Sequence, residues 1–222
     1  MLCFWVGGGI LVCIMIDGED VRIMSAVIAV CGTNFCTFAA DRRMVIPDKN
    51  TFRCANDETD KIFKVNDRVL LGMTGIFWRW EHLTDPLDGC ADLLSMSAAQ
   101  VKDVVVAYLD RPKTMPFQPR NYLIGGTEAG SFVIYEVHYD GRIKVNKRTP
   151  LPPMFNFALS VSLPHTSENL APHVQTMVAS GLQRCSAHHE LIPVLRRTLT
   201  WLSEQDDTIG PTQTVLSILS RP

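Results

Sequence analysis

Residues 25–41 read SAVIAVCGTNFCTFAAD. Two runs rich in β-branched and aromatic residues, SAVIAV and FCTFAAD, flank the segment CGTN, which supplies a glycine and an asparagine for a turn. Apolar runs of this length on both sides of a turn are typical of two buried antiparallel strands. The stretch therefore predicts a β-hairpin that ends at Asp41.

The chain changes character after this hairpin. Residues 45–59, VIPDKNTFRCANDET, are polar and contain a proline and two asparagines, which predicts an irregular loop. Residues 61–66, KIFKVN, and 68–75, RVLLGMTG, then predict two short strands. The first third of the chain is therefore expected to be antiparallel β-structure.

The middle of the chain alternates between helical and extended patterns. Residues 76–83, IFWRWEHL, and the segment after them predict irregular helical structure. Ser97 and Gln100 form a capping-box pair in front of VKDVVVAYLDR, so a helix is expected to begin there. Later elements are expected as strands at 121–127, 131–143, 154–162 and 214–219, and as helices at 170–183 and 190–205, with Pro193 in the first turn of the second.

The order of these elements predicts a fold class. Hairpins connect the strands, and no βαβ crossover pattern is found. Such an order favours two stacked antiparallel sheets with helices on their outer faces. We therefore expect an α+β protein with a four-layer α/β/β/α sandwich.

Composition limits the classes of function. The chain has 222 residues, 46% of them apolar and 20% charged, which predicts one globular domain. Its formal net charge of -2 favours neither a nucleic-acid partner nor a membrane partner. The seven cysteines are an odd number without a CxxC pair, which is typical of reduced cytosolic thiols. Cys31 and Cys36 fit no common zinc spacing, so we predict no metal.

The first residues of the chain form a long apolar run. Residues 2–16, LCFWVGGGILVCIMI, are apolar, but no Lys or Arg precedes them and no small-residue cleavage site follows. The run is also shorter than the roughly 20 residues that span a bilayer. We predict that residues 1–24 are a removed leader or a misassigned start, with a structured extension as the alternative, and that residues 25–222 form one domain. Loss of Met24 would give Ser25 a free amine.

The stretch from Ser25 to Arg43 resembles the opening of proteasome β-subunits and of their bacterial homologues, which are N-terminal-nucleophile (Ntn) hydrolases. In that family the nucleophile is the first residue of the mature chain. An alanine-rich strand then ends in an aspartate, with an arginine two positions later, which Asp41 and Arg43 match. A lysine opens the next strand, and Lys61 matches it better than Lys64 does. Gly75 matches the glycine that follows in the family.

The resemblance continues to about residue 145 and then weakens. Residues 122–143, YLIGGTEAGSFVIYEVHYDGRI, resemble the family's hairpin with an aromatic-rich second strand. Ser160 corresponds to a serine of the family's Ser-Gly-Ser-Gly turn, although Val161 replaces a glycine. Asp207 keeps the acid of the family's Asp-x-x-Ser-Gly motif without its serine. Both residues are therefore expected to support the site.

The resemblance implies a mechanism that needs no cofactor. Ser25 would be the nucleophile, and its α-amine, with an unperturbed pKa of about 7.7 to 8.0, would be the base. Lys61 would keep that amine neutral, and Asp41 would fix the lysine. The backbone N–H of Gly75 would face the oxyanion. Met73 is the candidate wall of the substrate pocket.

Three functions follow from the resemblance. The first is a cytoplasmic, self-compartmentalised peptidase that forms a homo-oligomeric ring and accepts peptides or unfolded proteins, with an ATPase regulator as a candidate partner. The second is a catalytically silent structural subunit like the α-type proteasome subunits. The third is an Ntn amidase of a small substrate. Retention of residues 1–24 would favour the second function, because Ser25 would then have no free amine. His188 and His189 are interpreted as surface residues.

Overall fold

The computed structural model describes most of the chain. Ser25 and parts of several connecting segments lie outside the described residues, as do Trp80 and its two neighbours in the expected helical segment. The described residues are 2–6, 10–14, 21–24, 26–49, 51–78, 82–111, 118–150, 155–161 and 170–220.

The expected four-layer α/β/β/α sandwich is wrong. Strands make up 43% of the chain and form three antiparallel sheets, whereas the described residues contain three α-helices. The helix of residues 98–110 packs mainly against the strands of residues 120–128 and 131–139 in the largest sheet. The outer strands of that sheet, at residues 51–56 and 143–148, are largely exposed. Because the helices do not form continuous outer layers, the protein is β-rich. The strands are β1 (Leu2–Val6), β2 (Ile10–Ile14), β3 (Val21–Met24), β4 (Ala26–Cys31), β5 (Phe35–Asp41), β6 (Met44–Asp48), β7 (Thr51–Asn56), β8 (Ile62–Asn66), β9 (Val69–Trp78), β10 (Arg120–Glu128), β11 (Ser131–Tyr139), β12 (Ile143–Arg148), β13 (Asn156–Val161) and β14 (Gln213–Leu219).

The predicted hairpin of residues 25–41 is confirmed for its described part. Strands β4 and β5 pair antiparallel, and all of their residues are buried. They form the centre of a four-stranded sheet with the order β13-β4-β5-β14. Such a continuous apolar run suits a strand that is covered on both faces.

The largest sheet has the order β12-β11-β10-β9-β3-β6-β7, and β8 also pairs with β9. Strands β8 and β9 pair antiparallel, which agrees with the two strands predicted for residues 61–66 and 68–75. Strand β10 lies along one edge of β9, so β8 and β3 share the other edge, β8 beside residues 69–72 and β3 beside residues 75–78. Strand β3 thereby separates β9 from β6.

Two segments differ from the sequence prediction. Residues 45–59 were expected to be a loop, but β6 and β7 form a hairpin there, with Lys49 in its turn at a φ of 53°. Residues 76–78 were expected to be helical, but they extend β9, and β3 pairs with them. In both places pairing with a neighbouring strand overrides the local sequence preference.

The helices are α1 (Ala98–Asp110), α2 (Ala171–Leu182) and α3 (His188–Gln205). The capping box of Ser97 and Gln100 is confirmed at the start of α1. Pro193 was expected in the first turn of its helix, which is wrong, because α3 begins at His188 and so contains Pro193 in its interior. Within the described residues, none of the helices is both long and apolar enough to span a membrane.

Apolar clusters hold these elements together. One lies between the two larger sheets and includes Val27, Phe38, Leu70 and Leu123. A second joins the largest sheet to α1, and a third joins β4 and β5 to α2 and α3. The ends of β5, β8 and β9 meet at the edge of the cluster between the sheets, which is where the candidate site lies.

Candidate functional site

A buried ion pair forms the centre of the site. Lys61 Nζ lies 2.7 Å from each carboxylate oxygen of Asp41, and both side chains are fully buried. The rival residue Lys64 is about half exposed and pairs with Asp67 at the surface. The structure therefore brings Lys61, and not Lys64, to the end of β5.

The Asp41 carboxylate is held by backbone donors as well. Its Oδ1 accepts from Ala26 N at 3.0 Å, and its Oδ2 accepts from Arg43 N at 3.0 Å and from Gly210 N at 3.1 Å. Each oxygen therefore has several donors, which fix the orientation of the carboxylate. Asp41 is thereby fixed as the counter-ion of Lys61.

Burial sets the acid-base behaviour of Lys61. Removal from water lowers the pKa of the Lys61 ammonium below its ordinary value, and the adjacent Asp41 carboxylate opposes that shift. A lysine with a lowered pKa exchanges protons more readily near neutral pH than an exposed lysine does. Lys61 is thus chemically suited to accept and return a proton.

Ser25 lies outside the described residues, but the residues before and after it contact elements of the site. Ala26 donates its N–H to Asp41, as stated above. Met24 is opposite Gly75 in the pairing of β3 with β9, and opposite Met44 in the pairing with β6. Met24 is therefore attached to β9 and β6, and Ala26 to the ion pair.

Strand β3 fills a gap in the largest sheet. It pairs with β9 from Val21 to Met24 and with β6 at Ile23 and Met24. Neighbouring strands are about 4.8 Å apart, so β6 and the end of β9 are separated by about 9.6 Å, the width that one extended strand occupies. Any extended peptide that replaced β3 would find backbone partners on both sides.

Gly75 is required by its surroundings. Its φ is 117°, and an added Cβ would lie 2.6 Å from the carbonyl oxygen of Pro119 and 2.7 Å from Arg120 Cα. Both neighbours are backbone atoms and cannot move aside easily. Glycine at this position therefore has a steric basis, whereas the role of its N–H at an oxyanion stays a prediction.

Arg43 reaches the ion pair through its backbone only. Its guanidinium binds Asp57, with Nε 2.7 Å from Oδ1 and NH2 2.9 Å from Oδ2, and NH1 donates to the carbonyl of Asp207 at 2.6 Å. The hydrogen bonds between the two side chains raise the pKa of Arg43 and lower that of Asp57. Arg43 therefore links Asp57 and Asp207 to the segment that follows β5.

Ser160 and Met73 lie beside the site in different ways. Ser160 is buried and forms a hydrogen bond with the hydroxyl of Thr74, the residue before Gly75. Met73 is buried in the cluster between the largest sheet and α1, and its N–H donates to the Lys61 carbonyl at 3.0 Å. Ser160 thus holds β13 to β9, and the pocket role of Met73 stays a prediction.

Of the two adjacent aspartates, Asp206 is the buried one, and the supporting role expected of Asp207 stays a prediction. Asp207 is exposed, and it contributes its backbone carbonyl to Arg43. Asp206 is buried: its Oδ1 accepts from the N–H and the hydroxyl of Thr208, at 2.8 and 2.5 Å, while its Oδ2 is buried without a hydrogen-bond partner. The sequence prediction chose Asp207 and overlooked Asp206, although counting from Asp206 places Gly210 at the glycine of Asp-x-x-Ser-Gly. That spacing was the signal that could have identified Asp206.

Two buried thiols lie side by side in the central hairpin. Cys31 and Cys36 are opposite each other in β4 and β5. Burial raises the pKa of Cys31 to about 12, and burial also raises the pKa of Cys36 above its ordinary value. Thiols with such pKa values stay protonated near neutral pH, and the thiolate is the metal ligand. No cluster of three or more His, Cys, Asp or Glu suited to a metal ion occurs in the part of the chain that the structure describes.

Comparison with known proteins gives no match, either to a protein-family model or to a curated protein.

Proposed function

We propose that the chain is a peptidase of the N-terminal-nucleophile type, in which Ser25 is the nucleophile once residues 1–24 have been removed. The observation that carries this proposal is the buried pair of Lys61 and Asp41, to which Ala26, the residue after position 25, donates its N–H. Burial of two charges is costly, so a site that retains them is a candidate for catalysis.

The proposed chemistry uses the chain's own groups. The hydroxyl of Ser25 attacks the substrate carbonyl, and its proton passes to the new α-amine with the help of Lys61. The amine of the leaving peptide takes up a proton as the scissile C–N bond breaks, which leaves an ester on Ser25. Water then hydrolyses the ester and restores the hydroxyl.

The proposed substrate is an extended peptide or an unfolded protein segment. The supporting observation is the gap between β6 and β9, which β3 fills in the full chain and which has the width of one strand. Backbone pairing in such a gap is insensitive to side-chain identity. A small-molecule amidase would have no use for a strand-shaped gap, which makes that alternative the weaker one.

A catalytically silent structural subunit is the second candidate, and β3 is also the observation that favours it. If residues 21–24 stay in the gap, a peptide cannot pair there, and Ser25 keeps an amide instead of an amine. Under either proposal the protein would be cytoplasmic and would assemble into a homo-oligomeric ring, and an ATPase regulator is a possible partner of the active form.

A comparison of variants at residue 25 distinguishes the two candidates. The full chain and its Ser25→Ala and Ser25→Thr variants would be purified, analysed for their N-terminal residue and assayed with a library of fluorogenic peptides. Under the peptidase proposal, the wild type and Ser25→Thr are expected to start at residue 25 and to hydrolyse peptides. Ser25→Ala is expected to show no peptide hydrolysis. Equal rates in all three proteins would rule out Ser25 as the nucleophile.

A further inference from the structure

A second polar cluster lies on β5, four residues before Asp41. Thr37 of β5 and Ser217 of β14 are directly opposite each other, and their hydroxyl oxygens are 2.9 Å apart. His188, the first residue of α3, places its Nε2 2.9 Å from Thr37 Oγ1 and 3.0 Å from Ser217 Oγ. Its ring also contacts the ring of Phe35, with the centroids 4.9 Å apart. The expectation that His188 is simply a surface residue is therefore wrong.

This cluster is a polar exception in an apolar interface. Around it, β4 and β5 pack against α2 and α3 through aliphatic and aromatic side chains, among them Ile28, Leu191 and Leu195. Such contacts fix the distance between helix and sheet but allow sliding, whereas hydrogen bonds to one imidazole nitrogen fix a position. His188 therefore sets where α3 begins on the sheet.

The surroundings of His188 disfavour a charged ring. Burial lowers the pKa of His188, and the neighbouring His189 lowers it further. The N-terminus of a helix also carries partial positive charge, which opposes an imidazolium. Strands β5 and β14 face the ring with hydroxyls and with Phe35. Of the other titratable groups nearby, Glu190 is engaged by the backbone of Ser186 and Ala187, and Cys185 lies in the preceding turn.

Helix α3 connects this cluster to the candidate site. Its 18 residues span about 27 Å at 1.5 Å per residue. The segment after its last residue returns to β5, where Gly210 donates to Asp41 and Asp207 accepts from Arg43. Helix α3 and the adjoining loop thus meet β5 at two positions, at Thr37 and at Asp41.

We propose that His188 is a pH-sensitive latch, which in its neutral form fixes the start of α3 to Thr37 and Ser217 and thereby helps hold Gly210 on Asp41. Acidification charges the ring, weakens this end of the helix and loosens the support of the Asp41 carboxylate. The latch is a positioning device and takes no part in bond breaking.

The direction of the pH effect follows from linkage. The unfolded chain has a histidine pKa near the ordinary value of about 6.5, and the folded chain has a lower one at His188. The unfolded state therefore binds the proton more readily, so this contribution to stability is present above about pH 6.5 and is lost as the pH falls below it.

The test measures urea unfolding midpoints between pH 5 and 8 for the full chain and for His188→Gln, with His189→Gln as the matched control. Glutamine keeps hydrogen-bonding capacity but does not titrate. We expect the urea midpoint of the wild type and of His189→Gln to decrease as the pH is lowered below 6.5. The urea midpoint of His188→Gln is expected to decrease distinctly less. Equal pH-dependent losses in the wild type and His188→Gln would overturn the proposal.

Hydrogen exchange locates the effect within the chain. Protection factors, corrected for the intrinsic pH dependence of exchange, would be compared for residues 188–196 and, as an internal reference, for residues 101–109 of α1. The latch expects protection at the start of α3 to drop between pH 8 and pH 5 while that of α1 is kept, and Thr37→Val to show the drop already at pH 8. Unchanged protection at the start of α3 would contradict it. Neither readout requires peptidase activity, so the latch and the proposed function can fail separately.

Discussion

Lys61 Nζ is 2.7 Å from both carboxylate oxygens of Asp41, and neither side chain has any exposed surface. The pair joins the end of β5 to the residue just before β8. Three backbone N–H groups converge on the same carboxylate, those of Ala26, Arg43 and Gly210, and the first and last of these are distant from Asp41 in the sequence. The ion pair is therefore a structural junction as well as the candidate catalytic centre.

Replacement of Lys61 by Met should destabilise the protein strongly. The change leaves the Asp41 carboxylate buried without its counter-ion, which typically costs about 3 to 5 kcal/mol. Urea unfolding at pH 7.5 measures the loss. The matched control is Lys64→Met in the same region, whose surface ion pair with Asp67 predicts a change of less than about 1 kcal/mol. Similar losses in the two variants would contradict the assigned burial of Lys61.

The double variant Asp41→Asn, Lys61→Met should recover much of that stability. Removal of both charges leaves no unpaired ion, and neutral replacements of buried ion pairs are often close to neutral in free energy. The free energy of unfolding of the double variant is therefore expected to exceed that of Lys61→Met. It should remain inactive towards peptides, which separates folding from catalysis. A double variant no more stable than Lys61→Met would show that the carboxylate is not the source of the loss.

Gly75→Ala should cost more than a glycine substitution at an open turn. Besides the strain of a positive φ, the new Cβ would lie 2.6 Å from the Pro119 carbonyl oxygen. We expect a loss above about 2 kcal/mol, because strained backbone and overpacking costs add. Gly130→Ala is the matched control: its φ of 82° is also positive, but no atom lies within 4 Å of an added Cβ. Its expected cost is about 1 kcal/mol in thermal or urea unfolding.

Asp206 and Asp207 should respond differently to alanine. Loss of the Asp206 carboxylate leaves the N–H and hydroxyl of Thr208 without that acceptor in a buried turn, which costs about 1 to 3 kcal/mol. Asp207→Ala removes an exposed side chain and keeps the carbonyl that binds Arg43, so its effect should stay within about 0.5 kcal/mol. Chemical denaturation of both variants decides between them. If Asp207→Ala proves the more destabilising variant, Asp206 is not the aspartate on which the buried turn depends.

Removal of residues 1–24 should open the gap that β3 fills. A chain that begins at Ser25 is expected to bind extended peptides, because β6 and the end of β9 then have unpaired backbone groups. Fluorescence anisotropy with a labelled heptapeptide measures the binding, and the full chain serves as the control. A peptide with a proline at its centre should bind more weakly, since proline cannot donate to the sheet. Equal binding to both chains would exclude the gap as the peptide site.

The sequence predicted the parts of the fold in which local pattern and tertiary context agree. The hairpin of β4 and β5 is continuous in β-branched and aromatic residues, and the capping box at Ser97 specifies the start of α1 without help from the rest of the chain. Lys61 was preferred over Lys64 by its place at the opening of a strand, and its burial agrees with that preference.

The remainder depended on contacts that a single sequence does not display. Residues 45–59 form a hairpin despite Pro47, because β3 on one side and a turn at Lys49 on the other supply the pairing. The strands at these residues and at residues 76–78 were not predicted, and they contribute to a β-rich fold in place of the expected four-layer α/β/β/α sandwich. His188 was assigned to the surface because nothing in the sequence places it beside Thr37, which is 151 positions away.

The proposed peptidase mechanism requires Ser25 to act as a nucleophile with a free α-amine beside the pair of Lys61 and Asp41. The most direct test is the intact mass of the protein, expressed from its native reading frame, before and after incubation with a peptidyl epoxyketone, which reacts with a hydroxyl and an adjacent α-amine together. The account predicts a chain that starts at Ser25 and gains one inhibitor mass, and a Lys61→Met variant that gains none. A chain that keeps residues 1–24 and gains no mass would contradict the peptidase proposal and leave the silent structural subunit.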